Sequence, residues 1–248
     1  MAPREPVHFS TLKAMALSPA HYRYGLSARH DTPAMRLGRA VHAYVLLGQA
    51  PVVFEGAARR GKAWESFAAA TPRPEDALLL DDADAVFAMG NAVLAHDEAM
   101  EALAGEREVR LRWEWLGRQC EGTADVLSPT GVCDLKTTRT PHADRFIREA
   151  LGRSYHAQLW WYGNGAQASG RPRPAAASLV VVESMPPYVV TVYRLTLRAL
   201  AAGERLARSW MERLLACEEA DCWPGYAQCA IPLDVADDGL RWGDEEDE

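Results

Sequence analysis

The feature that most constrains this chain is a run of strict alternation followed by two further β-prone runs. In Val109-Arg110-Leu111-Arg112-Trp113-Glu114-Trp115 every second residue is apolar, which sets one face of a half-buried strand against a core and leaves the other in water. Leu116-Gly117-Arg118 supplies a turn. Cys120 to Leu127 and Val132 to Thr138 then read as strands, separated by the turn tetrapeptide Ser128-Pro129-Thr130-Gly131. The three strands make an antiparallel meander. Around them the patterns are helical: a short capped helix from Ser10 to Leu17 stopped by Ser18-Pro19, then Leu37 to Leu47, Asp81 through Leu103, Phe146 to Ala168, and Thr196 to Glu219. Ser178 to Val182 and Tyr188 to Leu195 add a strand pair, and Arg171-Pro172-Arg173-Pro174 is a stiff connector. This order predicts an α/β (α+β) fold with a mixed central β-sheet flanked by helices, in one domain over residues 1–233.

Charge has to be apportioned before it says anything about partners. The chain of 248 residues has a formal net charge of −7, and residues 234–248 account for all of it, with eight acids against Arg241. That run reads as a solvated, disordered tail. The other 233 residues balance, 26 bases against 26 acids, so a basic channel for nucleic acid is compatible with the composition. Of the 27 bases, 24 are Arg; only Lys13, Lys62 and Lys136 are Lys, which marks them as places where a compact ammonium matters. No window approaches a membrane-spanning helix and the first residues lack a secretory signal, so no membrane partner and a cytoplasmic location are expected. The five cysteines lack the close pairs of a cluster site, so ordinary thiols and no iron–sulfur cluster are expected. No P-loop is present.

The meander brings carboxylates together. A symmetric turn at Ser128 to Gly131 sets Asp125 directly opposite Asp134, and like charges so placed destabilise a ladder unless a cation lies between them. Asp134 and Lys136 project from one face while Leu135 points into the core. Two carboxylates and an ammonium on one patch suit a hard divalent cation such as Mg²⁺, and the chemistry served is phosphodiester hydrolysis. The same spacing also suits two aspartates flanking a surface turn, with Lys136 paired to one of them.

Gly122-Thr123-Ala124-Asp125, Val132-Cys133-Asp134-Leu135-Lys136-Thr137-Thr138 and Gln158-Leu159-Trp160-Trp161-Tyr162 resemble the G-x-x-D, (D/E)-x-K and Q-x-x-x-Y motifs of PD-(D/E)xK nucleases. Within that superfamily the chain is most similar to the exodeoxyribonuclease VIII-like group of phage and prophage proteins. The likeness runs from Ser10 to about Tyr226 and includes Ser18-Pro19-Ala20-His21-Tyr22, Leu37-Gly38-Arg39-Ala40-Val41-His42, Tyr155-His156-Ala157-Gln158, Val182-Glu183-Ser184-Met185-Pro186-Pro187-Tyr188 and Trp223-Pro224-Gly225-Tyr226. It implies a restriction-endonuclease-like core and a metal-dependent deoxyribonuclease that acts as a 5′ to 3′ exonuclease on linear duplex ends, in a bacterial or phage-infected cell. It also implies a homo-oligomer working with a single-strand annealing recombinase. Rival readings are a single-strand- or structure-specific nuclease of the superfamily, or a catalytically silent DNA-binding protein with the same fold.

By the same resemblance Asp125, Asp134 and Lys136 are catalytic, and His42, Asp125, Asp134 and the Leu135 carbonyl hold Mg²⁺, with Mn²⁺ as a substitute. Asp134 stands where the group commonly carries Glu, which leaves the metal count open. Without the resemblance, His42 reads as a core histidine on an apolar helix. Gln158 and Tyr162 share a helical face and either touch substrate or brace the carboxylates; an amphipathic helix would place them the same way. Thr137, Thr138, Arg39 and Arg139 are candidate phosphate contacts, against plain readings as β-formers and solvated charges.

Overall fold

A computed structural model describes residues 5–27, 31–227 and 229–231; the acidic run 234–248 lies outside them. The sheet has six strands: β1 (Val7–His8), β2 (Glu106–Trp115), β3 (Arg118–Leu127), β4 (Gly131–Thr138), β5 (Ala176–Glu183) and β6 (Val190–Arg194). β2–β3 and β3–β4 are antiparallel hairpins, β4–β5 is parallel, and β5–β6 is antiparallel. This is the mixed central sheet that the sequence order predicts, with the meander in place. The parallel step needs a crossover, which α7 (Ala143–Gly152) and α8 (Tyr155–Ala168) provide.

Helices cover both faces. On one side α1 (Phe9–Leu12), α8 and α9 (Leu197–Ala220) close a core containing Leu111, Trp113, Trp161, Val181 and Met211. On the other, α3 (Pro33–Leu47) and α5 (Leu80–Leu94) close a core with Val41, Met89, Val126, Leu135 and Val180. No helix among the described residues is long and apolar enough to cross a membrane.

Five details depart from the sequence reading. Ser18-Pro19 starts a helix as well as stopping one: Ser18 Oγ accepts from the His21 amide at 3.3 Å and Pro19 opens α2 (Pro19–Gly25), where its missing N–H is harmless. The helix expected from Asp81 to Leu103 is two, because His96 Nδ1 caps a new helix, α6 (Asp97–Ala102), through the Ala99 amide at 3.2 Å. The helix expected from Phe146 to Ala168 likewise breaks at Ser154, whose φ of 60° is left-handed. The last strand begins at Val190, later than Tyr188, which is left-handed at φ 58°. A short helix, α4 (Gly61–Ala70), had no periodic signal; Trp64 and Phe67 from it pack on Phe54.

Candidate active site

The site lies where the ladder on one edge of β3 is interrupted. β2 pairs along β3 from Arg118 to Leu127. The opposite edge pairs with β1 at Cys120 and Glu121 and with β4 at Val126 and Leu127. Between those contacts the 122–125 stretch has no strand partner on that edge among the described residues. The β4 register matches the symmetric turn, with Val126 opposite Cys133 and Leu127 opposite Val132, but the ladder stops one pair short of Asp125 and Asp134. In its place the Leu135 amide donates to Asp125 Oδ2 at 2.8 Å. A side-chain carboxylate thus occupies a ladder acceptor position, which satisfies the buried amide.

On the other edge the first hairpin also distorts here. Arg107 pairs with Val126 and Val109 with Ala124, so Glu108 stands opposite Asp125. Glu108 has φ 52°, a left-handed conformation that costs a non-glycine residue about 1–2 kcal/mol. Strict alternation fails at the same level: Val109 and Ala124 belong to one core while Val126 belongs to the other. The distortion aims Glu108 at Asp125. Ligand atoms of His42, Glu108 and Asp125 lie within 4.8 Å of one another.

His42 comes from α3. Its Nε2 donates to the Leu135 carbonyl at 2.5 Å, and its Nδ1 is 3.4 Å from Asp125 Oδ2. A carbonyl offers no proton, so the Nε2 hydrogen is required. Burial raises the Asp125 pKa above the ordinary carboxylate range, Asp134 adds to the shift, and His42, Lys136 and the Leu135 amide oppose it. Asp134 is almost wholly buried and forms an ion pair with Lys136, while its Oδ1 has no hydrogen-bond partner among the described residues. Burial alone would lower the Lys136 pKa; Asp134 and Asp125 outweigh it and raise it, so the ammonium stays charged. Its Nζ lies 4.8 Å from the centre of the Tyr155 ring, a cation–π contact.

The donor set fits a divalent cation. Crowded carboxylates, one with an unpartnered buried oxygen, beside an imidazole and a strand carbonyl are ligands that hard and borderline divalent ions accept. His42, Glu108, Asp125, Leu135 and Lys136 line a cleft of about 1060 Å³, walled by Arg36, Arg39, Arg153 and Tyr155 among others, and Asp134 is buried behind Lys136 and is not among the lining residues.

The remaining sequence candidates divide. Thr137 lines the cleft. Arg39 lines the cleft but is held by Asp31 and Asp76, each at 2.8 Å. Thr138 is buried and donates to Glu149 Oε2 at 2.8 Å, tying β4 to α7. Arg139 is exposed and is not among the residues lining the cleft. Gln158 Nε2 donates to Tyr162 Oη at 3.1 Å, beside a neighbouring smaller cavity. Glu108 was missed, although extending the hairpin register from Leu116-Gly117 sets it opposite Asp125.

Fold and site together define a nuclease domain of the PD-(D/E)xK class. The chain belongs to the family described as "PDDEXK-like domain of unknown function (DUF3799)", whose sequence profile matches residues 8–231. Among solved structures, a protein of Eubacterium rectale named "Putative exonuclease" shares the fold with a TM-score of 0.68 at 15% identity, over 94% of this chain and 91% of its own. A second, SSO0001, aligns over 82% of this chain and 85% of its own at 15% identity with a TM-score of 0.30. No curated protein sequence matches the chain.

Proposed function

We propose that the protein is a metal-dependent deoxyribonuclease acting as an exonuclease on linear duplex DNA, in the 5′ to 3′ direction, leaving 3′ single strands for recombination. The observation that carries the nuclease reading is the convergence of His42, Glu108, Asp125 and Lys136 at one cleft, with Asp134 buried behind as the ion-pair partner of Lys136. His42, Asp125, Asp134 and the Leu135 carbonyl would hold Mg²⁺ or Mn²⁺, with Glu108 added by its position. A divalent ion bound there supplies Lewis acidity at the phosphoryl group and a lowered water pKa.

The chain's own groups do the rest. Lys136, fixed between Asp134 and the Tyr155 ring, presents a positive charge where negative charge develops on the phosphoryl oxygens. Thr137 offers a hydroxyl to a phosphate oxygen from the same strand. Arg36, Arg39 and Arg153 line the cleft, and Arg39 can exchange Asp31 and Asp76 for a DNA phosphate without losing ionic partners. Gln158 and Tyr162, bonded to one another, brace the α8 side.

Direction, duplex preference, a ring-shaped homo-oligomer and a single-strand annealing recombinase partner rest on the likeness to the exodeoxyribonuclease VIII-like group, and the Eubacterium rectale neighbour's name agrees with exonuclease action. The test is digestion of 5′- and 3′-labelled linear duplex beside nicked and closed circles, with Mg²⁺ and with chelator. The expected result is Mg²⁺-dependent release of the 5′ label first, with nicked circles degraded only after linearisation. Internal cleavage of closed circles would replace the exonuclease with an endonuclease, and no cleavage under any condition would overturn the nuclease reading.

A further inference from the structure

A second cavity, of about 220 Å³, opens beside the main cleft, and Thr123 lines both. Its wall comes from three parts of the chain: Ser10 and Lys13 near the N-terminus, Gly122 and Thr123 of β3, and Gln158 and Tyr162 of α8. Gly122 makes the wall possible. A Cβ there would stand 2.9 Å from Tyr162 Cε1, so only glycine lets the phenol ring lie against the strand and bring its hydroxyl to the cavity.

Most polar groups of this wall can donate a hydrogen bond. Tyr162 Oη accepts from Gln158 Nε2 at 3.1 Å, which leaves the phenol proton available. The Ser10 and Thr123 hydroxyls and the Lys13 ammonium have no hydrogen-bond or ion-pair partner among the described residues. The lining carboxylate, Glu121, is engaged by Arg112 Nε at 3.1 Å. Lys13 keeps one side in solvent, yet protein around it and then the Lys136 and Arg153 cations hold its pKa below the ordinary lysine range. An ammonium near other cations, lining one cavity with three hydroxyls, is stabilised by an anion with several acceptor oxygens.

We propose that this cavity is a phosphate subsite: Lys13, with the hydroxyls of Ser10, Thr123 and Tyr162, takes a phosphate group of the DNA strand next to the one at the metal centre. The proposal rests on the nuclease reading for its occupant and names a part of the substrate that the metal centre does not touch. A phosphate monoester at a 5′ end and an internal phosphodiester offer the same acceptor chemistry, and the test separates them.

The experiment measures binding of the full chain to short fluorescent duplexes with a 5′ phosphate or a 5′ hydroxyl, in chelator so that no cleavage is needed, across a range of salt. Lys13→Gln should weaken binding about tenfold, as loss of a charge-assisted hydrogen bond does, and should flatten the logarithmic salt slope by about 0.9. Lys13→Arg should recover most of the loss, and Lys62→Gln, on α4, should bind like the parent. Ser10→Ala, which removes one hydroxyl without touching the charge, should weaken binding about threefold at an unchanged salt slope. A loss confined to the 5′-phosphorylated duplex assigns the terminal monoester; an equal loss on both assigns the internal diester. Lys13→Gln binding both duplexes as tightly as the parent, with the same salt slope, overturns the subsite. If the parent binds DNA in a Lys13-dependent way but never cleaves it, the nuclease reading fails and the subsite stands. If the parent binds no DNA, both fail.

Discussion

On the β3 side of the site, Asp125 sits on an unpaired strand edge among acceptors: Glu108 opposite it, the His42 ring 3.4 Å away, and a single backbone amide as its hydrogen-bond donor. On the β4 side, nine residues later, Asp134 is deeper in the protein and already has a cation, Lys136, which the Tyr155 ring holds from above. The two aspartates flank one turn, yet the first lies in a region short of positive charge and the second in a region that carries its own. Loss of a group on the β3 side should therefore appear in metal affinity, and loss of Lys136 on the β4 side in turnover with the metal still bound.

The largest effects break that division outright. Asp125→Asn should reduce Mn²⁺ affinity by more than about 100-fold, beyond the range typical of groups that only support a ligand, as read by calorimetric titration. Lys136→Gln should cut DNA cleavage about 10²- to 10³-fold, the scale of removing one positioned electrostatic group, while Mn²⁺ affinity stays near the parent's. If Lys136→Gln lost metal binding as well, the two sides would be one unit. Smaller effects sharpen the contrast. Glu108→Gly should weaken Mn²⁺ about tenfold, while relief of the left-handed conformation raises stability in chelator by about 0.5–1 kcal/mol, read from urea unfolding. An increase in stability together with a loss of metal affinity is the signature of strain kept for function. Thr138→Val, which removes the 2.8 Å bond to Glu149 on the β4 side, should cost about 1 kcal/mol of stability and leave metal binding alone. Arg39→Gln should change stability least, by about 0.5 kcal/mol or less, because its ion pairs are partly exposed.

How much of this was legible in the sequence depends on how local the signal is. The β2–β3–β4 meander follows from alternation and two turn motifs, and the Ser128–Gly131 turn gives the observed register. The reach of that ladder does not follow, because a carboxylate replacing a ladder acceptor is a tertiary event: Asp125 takes the Leu135 amide while His42, from α3, meets the Leu135 carbonyl. Glu108 shows the opposite failure. The first hairpin's register places it across from Asp125, but a glutamate carries no sequence mark for a positive φ, and strict alternation would not announce the change of faces. Ser154 is similar, since the break between α7 and α8 rests on one left-handed serine inside an otherwise continuous helical pattern. The threonines also divide: Thr137 lines the cleft and Thr138 bonds Glu149, which alternation along β4 does not foretell, because it sets Thr138 with Asp134 and Lys136 and Thr137 with Leu135.

The most direct test of the account is electron paramagnetic resonance of Mn²⁺ titrated into the parent and into Asp125→Asn, with Mg²⁺ as competitor. The account predicts Mn²⁺ bound by the parent, displaced by Mg²⁺, and left in solution by the variant. A parent that leaves Mn²⁺ free, or a variant that binds it as tightly as the parent, would contradict a metal centre at the open edge of β3.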